Sequence, residues 1–110
     1  MKIYAQTLNL KDDAVIISQY QAYHAQPYPE VVAALKAVGI LEMRIFLLGR
    51  RLFMYMTTVD EFDPAVDFAR YLTLSPRCQE WENLMTSFQE RVPEAQPHEK
   101  WAMMQQVFEL

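Results

Sequence analysis

Tyr20 and His24 stand four residues apart in a stretch that reads as helix, and His24 is one of only two histidines among 110 residues. That spacing puts a phenol and an imidazole on one helix face, within reach of one small ligand. Imidazole is the side chain whose unperturbed pKa, about 6.5, lets it give and take protons near neutrality. The pair therefore points to general acid–base chemistry. Other chemistries find less support. Cys78 is the only cysteine and falls in an apolar helical pattern, which reads as a buried, inert thiol. Asp60, Glu61 and Asp63 have no histidine or cysteine near them in sequence, so they read as a loop and helix cap rather than a metal site. With Gly39 and Gly49 its only glycines, the chain has no phosphate-cradling loop. His98 reads as an exposed, inert loop residue, and Tyr23, one residue before His24, faces another direction.

The elements that must hold this pair follow from periodicity and punctuation. Lys2 to Leu8 alternates as a first strand. Asp12 or Asp13 can cap a helix beginning near Ala14, which carries Ile16, Ile17, Tyr20 and His24 at helical spacing. Pro27 and Pro29 interrupt it, Pro29 suits the first turn of a renewed helix through Val38, and Gly39 suits its end. Leu41 to Leu48 and Arg51 to Thr58 read as two strands. Gly49-Arg50 between them fits a type II′ hairpin. Asp63-Pro64 and Ser75-Pro76 each look like a cap followed by a first-turn proline. The helix from Pro76 is expected to reach about Arg91 and to bury Cys78, Trp81, Leu84, Met85 and Phe88. Trp101 to Phe108 is expected as a last strand. The order is β-α-β-β-α-β, an α+β ferredoxin-like sandwich in which helices cover one face of a four-stranded antiparallel sheet. The other face, expected to carry some of Tyr4, Phe53, Tyr55, Trp101 and Met103, is too apolar for water. That predicts a homodimer in which two sheets face each other as a dimeric α/β-barrel assembly.

Composition bounds the partners. One domain, residues 1–110, is expected, and 52% hydrophobic residues suffice for its core. A net charge of −4 leaves no basic footprint for nucleic acid, and Lys36, Arg44, Arg50, Arg51, Arg70 and Arg77 are scattered. No apolar run approaches a membrane span, no signal peptide precedes Lys2, and a lone cysteine fits a reducing compartment. The expectation is a soluble cytoplasmic protein that binds neither nucleic acid nor membrane.

Tyr20-x-x-x-His24, Pro29-Glu30, Gly39-Ile40, Arg51-Leu52-Phe53, Cys78-Gln79-Glu80-Trp81 and Val107-Phe108 together resemble the L-rhamnose mutarotase family across essentially the whole chain. Within it, Gln79-Glu80-Trp81-Glu82-x-Leu84-Met85, Phe88-Gln89 and Pro97-x-Glu99-Lys100-Trp101-x-x-Met104 look closest to the L-fucose mutarotase branch. The resemblance implies that His24 is the proton-transferring residue and Tyr20 contacts substrate. The rhamnose enzymes have a second tyrosine where this chain has Met43, and a Trp-Trp pair where it has Trp81-Glu82. These departures, with Tyr28 for the usual tryptophan and His98 for a glycine, alter the sugar-contacting wall and keep the acid–base centre. They favour another 6-deoxy-L-hexose, L-fucose first.

The implied reaction interconverts the α and β anomers of a pyranose and requires neither redox cofactor nor metal. The anomeric O–H loses its proton, the ring oxygen gains one, and the ring opens to an aldehyde that recloses on the other face. Acid–base help of this kind contributes about 10²- to 10⁴-fold. Trp81 can offer its ring to the sugar's C–H side, Tyr20 and Glu82 can bond its hydroxyls, and Met43 can line the wall. Rivals are an L-rhamnose mutarotase, a non-catalytic dimeric sugar-binding module, and the small cofactor-free monooxygenases or lactone isomerases that share ferredoxin-like dimers. Fold analogy alone supports the last.

Overall fold

Three helices begin where a short polar side chain can take up orphan amides. The Asp13 carboxylate accepts from Val15 and Ile16 N–H, Asp63 from Ala65, and Ser75 Oγ from Arg77. In the computed structural model, which describes Met1–Leu110, these caps open α1 (Ala14–Ala25), α3 (Pro64–Thr73) and α4 (Pro76–Phe88). A further helix, α2 (Pro29–Ala37), starts on its proline and ends at Gly39, whose φ of 104° no side-chain-bearing residue adopts readily. The strands are β1 (Lys2–Leu10), β2 (Ile40–Leu48), β3 (Arg51–Thr58), β4 (Gln89–Glu90) and β5 (Ala102–Met103).

The sheet is antiparallel in the order β2-β3-β1, with β4 and β5 both paired to the far side of β1. This is the expected ferredoxin-like architecture. Gly49 at φ 61° and Arg50 without a positive φ join β2 to β3 with Leu48 opposite Arg51, as a type II′ turn demands. Tyr4, Gln6, Leu8 and Leu10 of β1 share a face with Leu52, Met54 and Met56 of β3 and Met43, Ile45 and Leu47 of β2. The helices lie on that face and, with Phe62 from the connection between β3 and α3, bury Tyr20, Val31, Cys78, Trp81, Met85 and Phe88 against it. Each such apolar side chain contributes roughly 1.5–3 kcal/mol on leaving water.

Four expectations need correction. The last helix stops at Phe88 rather than near Arg91, because Gln89 and Glu90 are drawn into the sheet opposite Leu10 and Asn9. Arg50 fixes that junction by donating to both Leu10 O and the Glu90 carboxylate. The final strand spans only Ala102–Met103 instead of Trp101 to Phe108. With β4 occupying the Asn9–Leu10 end of β1, residues from Ala102 onward pair only with Thr7 and Gln6, followed by one bond from Met104 N–H to Ala5 O. Val107, Phe108 and Leu110 are left exposed. On the open sheet face, Phe53 and Tyr55 stand as expected, joined by Ile3, Phe46 and Leu48, but Tyr4, Trp101 and Met103 do not. Tyr4 packs edge-on against Phe62 at 5.9 Å, Trp101 packs against the core, and Met103 shares a face with Gln6. Leu84, expected buried, is partly exposed; Cys78, Trp81, Met85 and Phe88 are buried.

Candidate active site

A cleft of about 1260 Å³ opens between the helix layer and the sheet. Its polar wall comes from α1, α4, β4 and residues 98–101, and its apolar wall from α2, α3, β2 and β3. His24, Tyr20, Met43, Trp81 and Glu82 all line it, so the fold brings every residue singled out from the sequence to one space.

Helical spacing does to Tyr20 and His24 what it should. Their rings lie 4.2 Å apart at 30°, nearly stacked, and Tyr20 is buried while His24 is half-buried. His24 Nδ1 sits 2.9 Å from the Tyr20 carbonyl oxygen. A carbonyl only accepts, so Nδ1 carries the proton and the Nε2 lone pair is left for a ligand. Burial pushes the imidazole below its ordinary pKa, an effect the Tyr20 carbonyl partly opposes. His24 is therefore neutral at pH 7 and able to accept a proton. Burial pushes the Tyr20 phenol up, an effect the nearby Gln89 amide partly opposes, so Tyr20 stays a protonated donor.

Trp81 is the hub behind the pair. Its ring meets His24 at 5.2 Å, Tyr28 at 5.0 Å and Tyr23 at 6.4 Å, each close to perpendicular, the favoured arrangement for aromatic quadrupoles. Trp81 thus both borders the cleft and fixes the His24 ring. Tyr23 packs on Trp81 and Phe88 outside the cleft, in the different direction its position predicts. Beyond Trp81, the Arg77 guanidinium covers the Tyr28 ring at 3.6 Å, closing the aromatic stack from solvent.

Glu82 is not the free carboxylate that the sequence suggests. Lys100 forms an ion pair with it and donates to Thr86 Oγ1 at 2.8 Å, which straps residues 98–101 onto α4. A hydroxyl that binds Glu82 Oε1 is therefore shared with an ammonium. His98, expected to be an inert loop residue, also borders the cleft, as do Glu99, Lys100 and Trp101. Met43 enters from the middle of β2, opposite Met56, and contributes apolar wall. The sequence reading counts Gln89 in the Phe88-Gln89 pair that carries the resemblance but gives it no place in the site. Gln89 lines the same cleft as Tyr20, and its Oε1 is buried without a partner. Nothing in the local pattern could single it out, since residues 76–91 read as one continuous helix.

A family profile for L-rhamnose mutarotase matches residues 3–110. The chain belongs to the L-rhamnose mutarotase family. It is a sugar mutarotase, an enzyme acting at the anomeric carbon. An L-fucose mutarotase of Xanthomonas campestris pv. campestris is 45% identical over 105 residues, covering 94% of this chain and 83% of that protein. A UPF0734 protein of Dictyostelium discoideum is likewise 45% identical over 112 residues, covering 99% of this chain and 90% of that one. Among solved structures, an L-rhamnose mutarotase of Formosa agariphila superposes with a TM-score of 0.72 at 20% identity, over 100% of this mutarotase and 99% of that chain. Tetracenomycin F2 cyclase of Streptomyces glaucescens, a type-II polyketide cyclase, superposes with a TM-score of 0.62 at 12% identity, over 100% and 97%. At such identities these likenesses bear on the fold. That a polyketide cyclase shares it illustrates why the site, and not the sandwich, must carry the functional argument.

Proposed function

We propose that this mutarotase equilibrates the anomers of L-fucose, with His24 as its acid–base residue and Tyr20, Trp81, Glu82 and Met43 around the sugar. One observation carries the chemistry: Nδ1 of a half-buried, neutral imidazole is tied to a backbone carbonyl, which leaves Nε2 basic and facing a cleft. Nε2 takes the anomeric O–H proton. The O1 electron pair forms the aldehyde C=O as the C1–O5 pair leaves to O5, and the imidazolium returns its proton to O5. Rotation about C1–C2 and the reverse sequence close the ring on the other face. A single imidazole suffices because O1 and O5 share one carbon, and no electrons are exchanged.

The sugar preference rests on Met43 and Glu82, which stand where the rhamnose enzymes carry aromatic residues, and on the 45% identity to an L-fucose mutarotase. The Glu82–Lys100 pair suits a sugar face rich in hydroxyls, because it offers an acceptor and a donor side by side. A second copy of the chain is proposed to cover the open sheet face. Phe46 is 55% and Leu48 84% exposed there, beside Ile3, Phe53 and Tyr55, and a contiguous apolar patch of this kind favours a partner. No helix is long and apolar enough to cross a membrane.

Saturation-transfer proton NMR on the anomeric signals of L-fucose and L-rhamnose, with wild type and His24→Ala, tests the reading. Faster exchange of L-fucose, lost in the variant, is expected. Undiminished exchange by His24→Ala refutes the acid–base role, and faster exchange of L-rhamnose refutes the preference.

A further inference from the structure

Gln89 Oε1 is the one buried side-chain nitrogen or oxygen in the molecule that lacks a hydrogen-bond partner. Buried polar groups in folded proteins are nearly always paired, so an exception on a residue that lines the cleft calls for an explanation. Several other acceptors along that wall already hold a partner. Glu82 Oε1 is held by Lys100, Glu99 accepts from Gln96 and Met103 N–H, and the Tyr20 carbonyl faces His24 Nδ1. Only Gln89 keeps a buried acceptor idle beside the proposed acid–base pair.

The backbone fixes where this side chain starts. Gln89 is the residue at which α4 ends and the chain turns extended, at φ −102° and ψ 152°; its N–H caps Thr86 O and it pairs with Leu10 in the sheet. Gln89 also acts on the Tyr20 phenol, opposing the rise that burial imposes on it. Tyr20 keeps its own O–H proton to give, and Gln89 keeps Oε1 to receive.

We propose that Gln89 is a substrate-binding residue, its Oε1 accepting a hydrogen bond from a sugar hydroxyl beside the Tyr20 phenol, which donates to the same sugar. A sugar hydroxyl is at once donor and acceptor, and the Tyr20–Gln89 couple presents the complement of both. The couple also aims the substrate at His24, whose ring stacks on Tyr20. This inference rests on the assignment of the cleft as the sugar site.

The test compares Gln89→Met with wild type. Methionine preserves length and volume and removes both polar ends. Exchange kinetics are measured on whichever of L-fucose and L-rhamnose the wild type equilibrates faster, so the sugar preference is decided separately from the role of Gln89. Thermal unfolding without sugar is recorded alongside. A rise in KM of about three- to tenfold, the worth of one neutral hydrogen bond, is expected, with kcat within about twofold. The melting temperature stays the same or rises, because an unpaired acceptor has been removed from the interior. A lowered melting temperature with unchanged KM makes Gln89 a structural amide and overturns the inference. Unchanged KM with unchanged stability also overturns it. Loss of exchange in wild type itself falls on the function assignment, and sugar-induced thermal stabilisation then reads Gln89 directly: retained stabilisation in Gln89→Met overturns the role, and its loss supports it.

Discussion

Gly39→Ala offers a sharp check on how the cleft is built. Gly39 ends α2 and leads into β2, the strand that carries Met43 to the cleft, and its carbonyl accepts from Val59 N–H at 2.9 Å. Two independent costs arise there. At φ 104° an L-residue is held outside its ordinary range, which costs about 1–3 kcal/mol. The added Cβ would also lie 2.7 Å from Val59 Cγ2, an overpacking that costs about 1–3 kcal/mol. Together they give roughly 2–6 kcal/mol, a large share of the about 5–15 kcal/mol that holds a domain folded. Equilibrium urea unfolding measures it, and a melting temperature lowered by about 8–24 °C accompanies it. Gly49→Ala is the control, because Gly49 also has a positive φ, 61°, but no atom within 4 Å of the added Cβ, so only about 1–2 kcal/mol is expected. Val59→Ala supplies the second control. It removes Cγ2 and leaves the Val59 Cβ at 3.8 Å, an ordinary contact, so Gly39→Ala should cost about 1–3 kcal/mol less in that background. Equal cost in both backgrounds would refute the steric half of the argument. Equal cost at Gly39 and Gly49 would refute it too.

Two other outcomes follow from the same coordinates. His24 has a folded pKa below its unfolded value of about 6.5, so the neutral form is preferred in the folded state. The corresponding stability is present above about pH 6.5 and is lost as pH falls through the lowered folded pKa. Urea unfolding from pH 7.5 to 5 should therefore show wild type losing stability more steeply than His24→Gln, and kcat/KM of wild type should hold until pH falls below about 6.5; parallel stability curves, or an acid limb above that pH, count against a neutral, desolvated imidazole. Phe53→Glu places a charge in the centre of the open sheet face, next to Phe46 at 6.1 Å. Light scattering should report a dimer for wild type and a monomer for the variant, and a monomeric wild type removes the proposed interface.

What the residues alone determined is whatever depends on near neighbours. Caps at Asp13, Asp63 and Ser75, the prolines behind two of them, the Gly49 turn and the four-residue spacing of Tyr20 and His24 act within one or two turns of chain. Their structures appear where the sequence places them. The strand order followed as well, because alternation and hairpin length leave few ways to fold a β-α-β-β-α-β chain. The tertiary structure decided the rest, and each case involves a partner distant in sequence. Residues 89 and 90 leave the helix because β1 offers an unpaired edge, a ladder gain that helical propensity cannot anticipate. The last strand is cut to two residues because that edge is already taken. Glu82 loses its freedom to Lys100, 18 residues away, which is why its helix pattern read as an available carboxylate. Gln89 became visible only once burial had stripped water from an amide oxygen and given it nothing in return, a property of packed space with no counterpart in the order of residues.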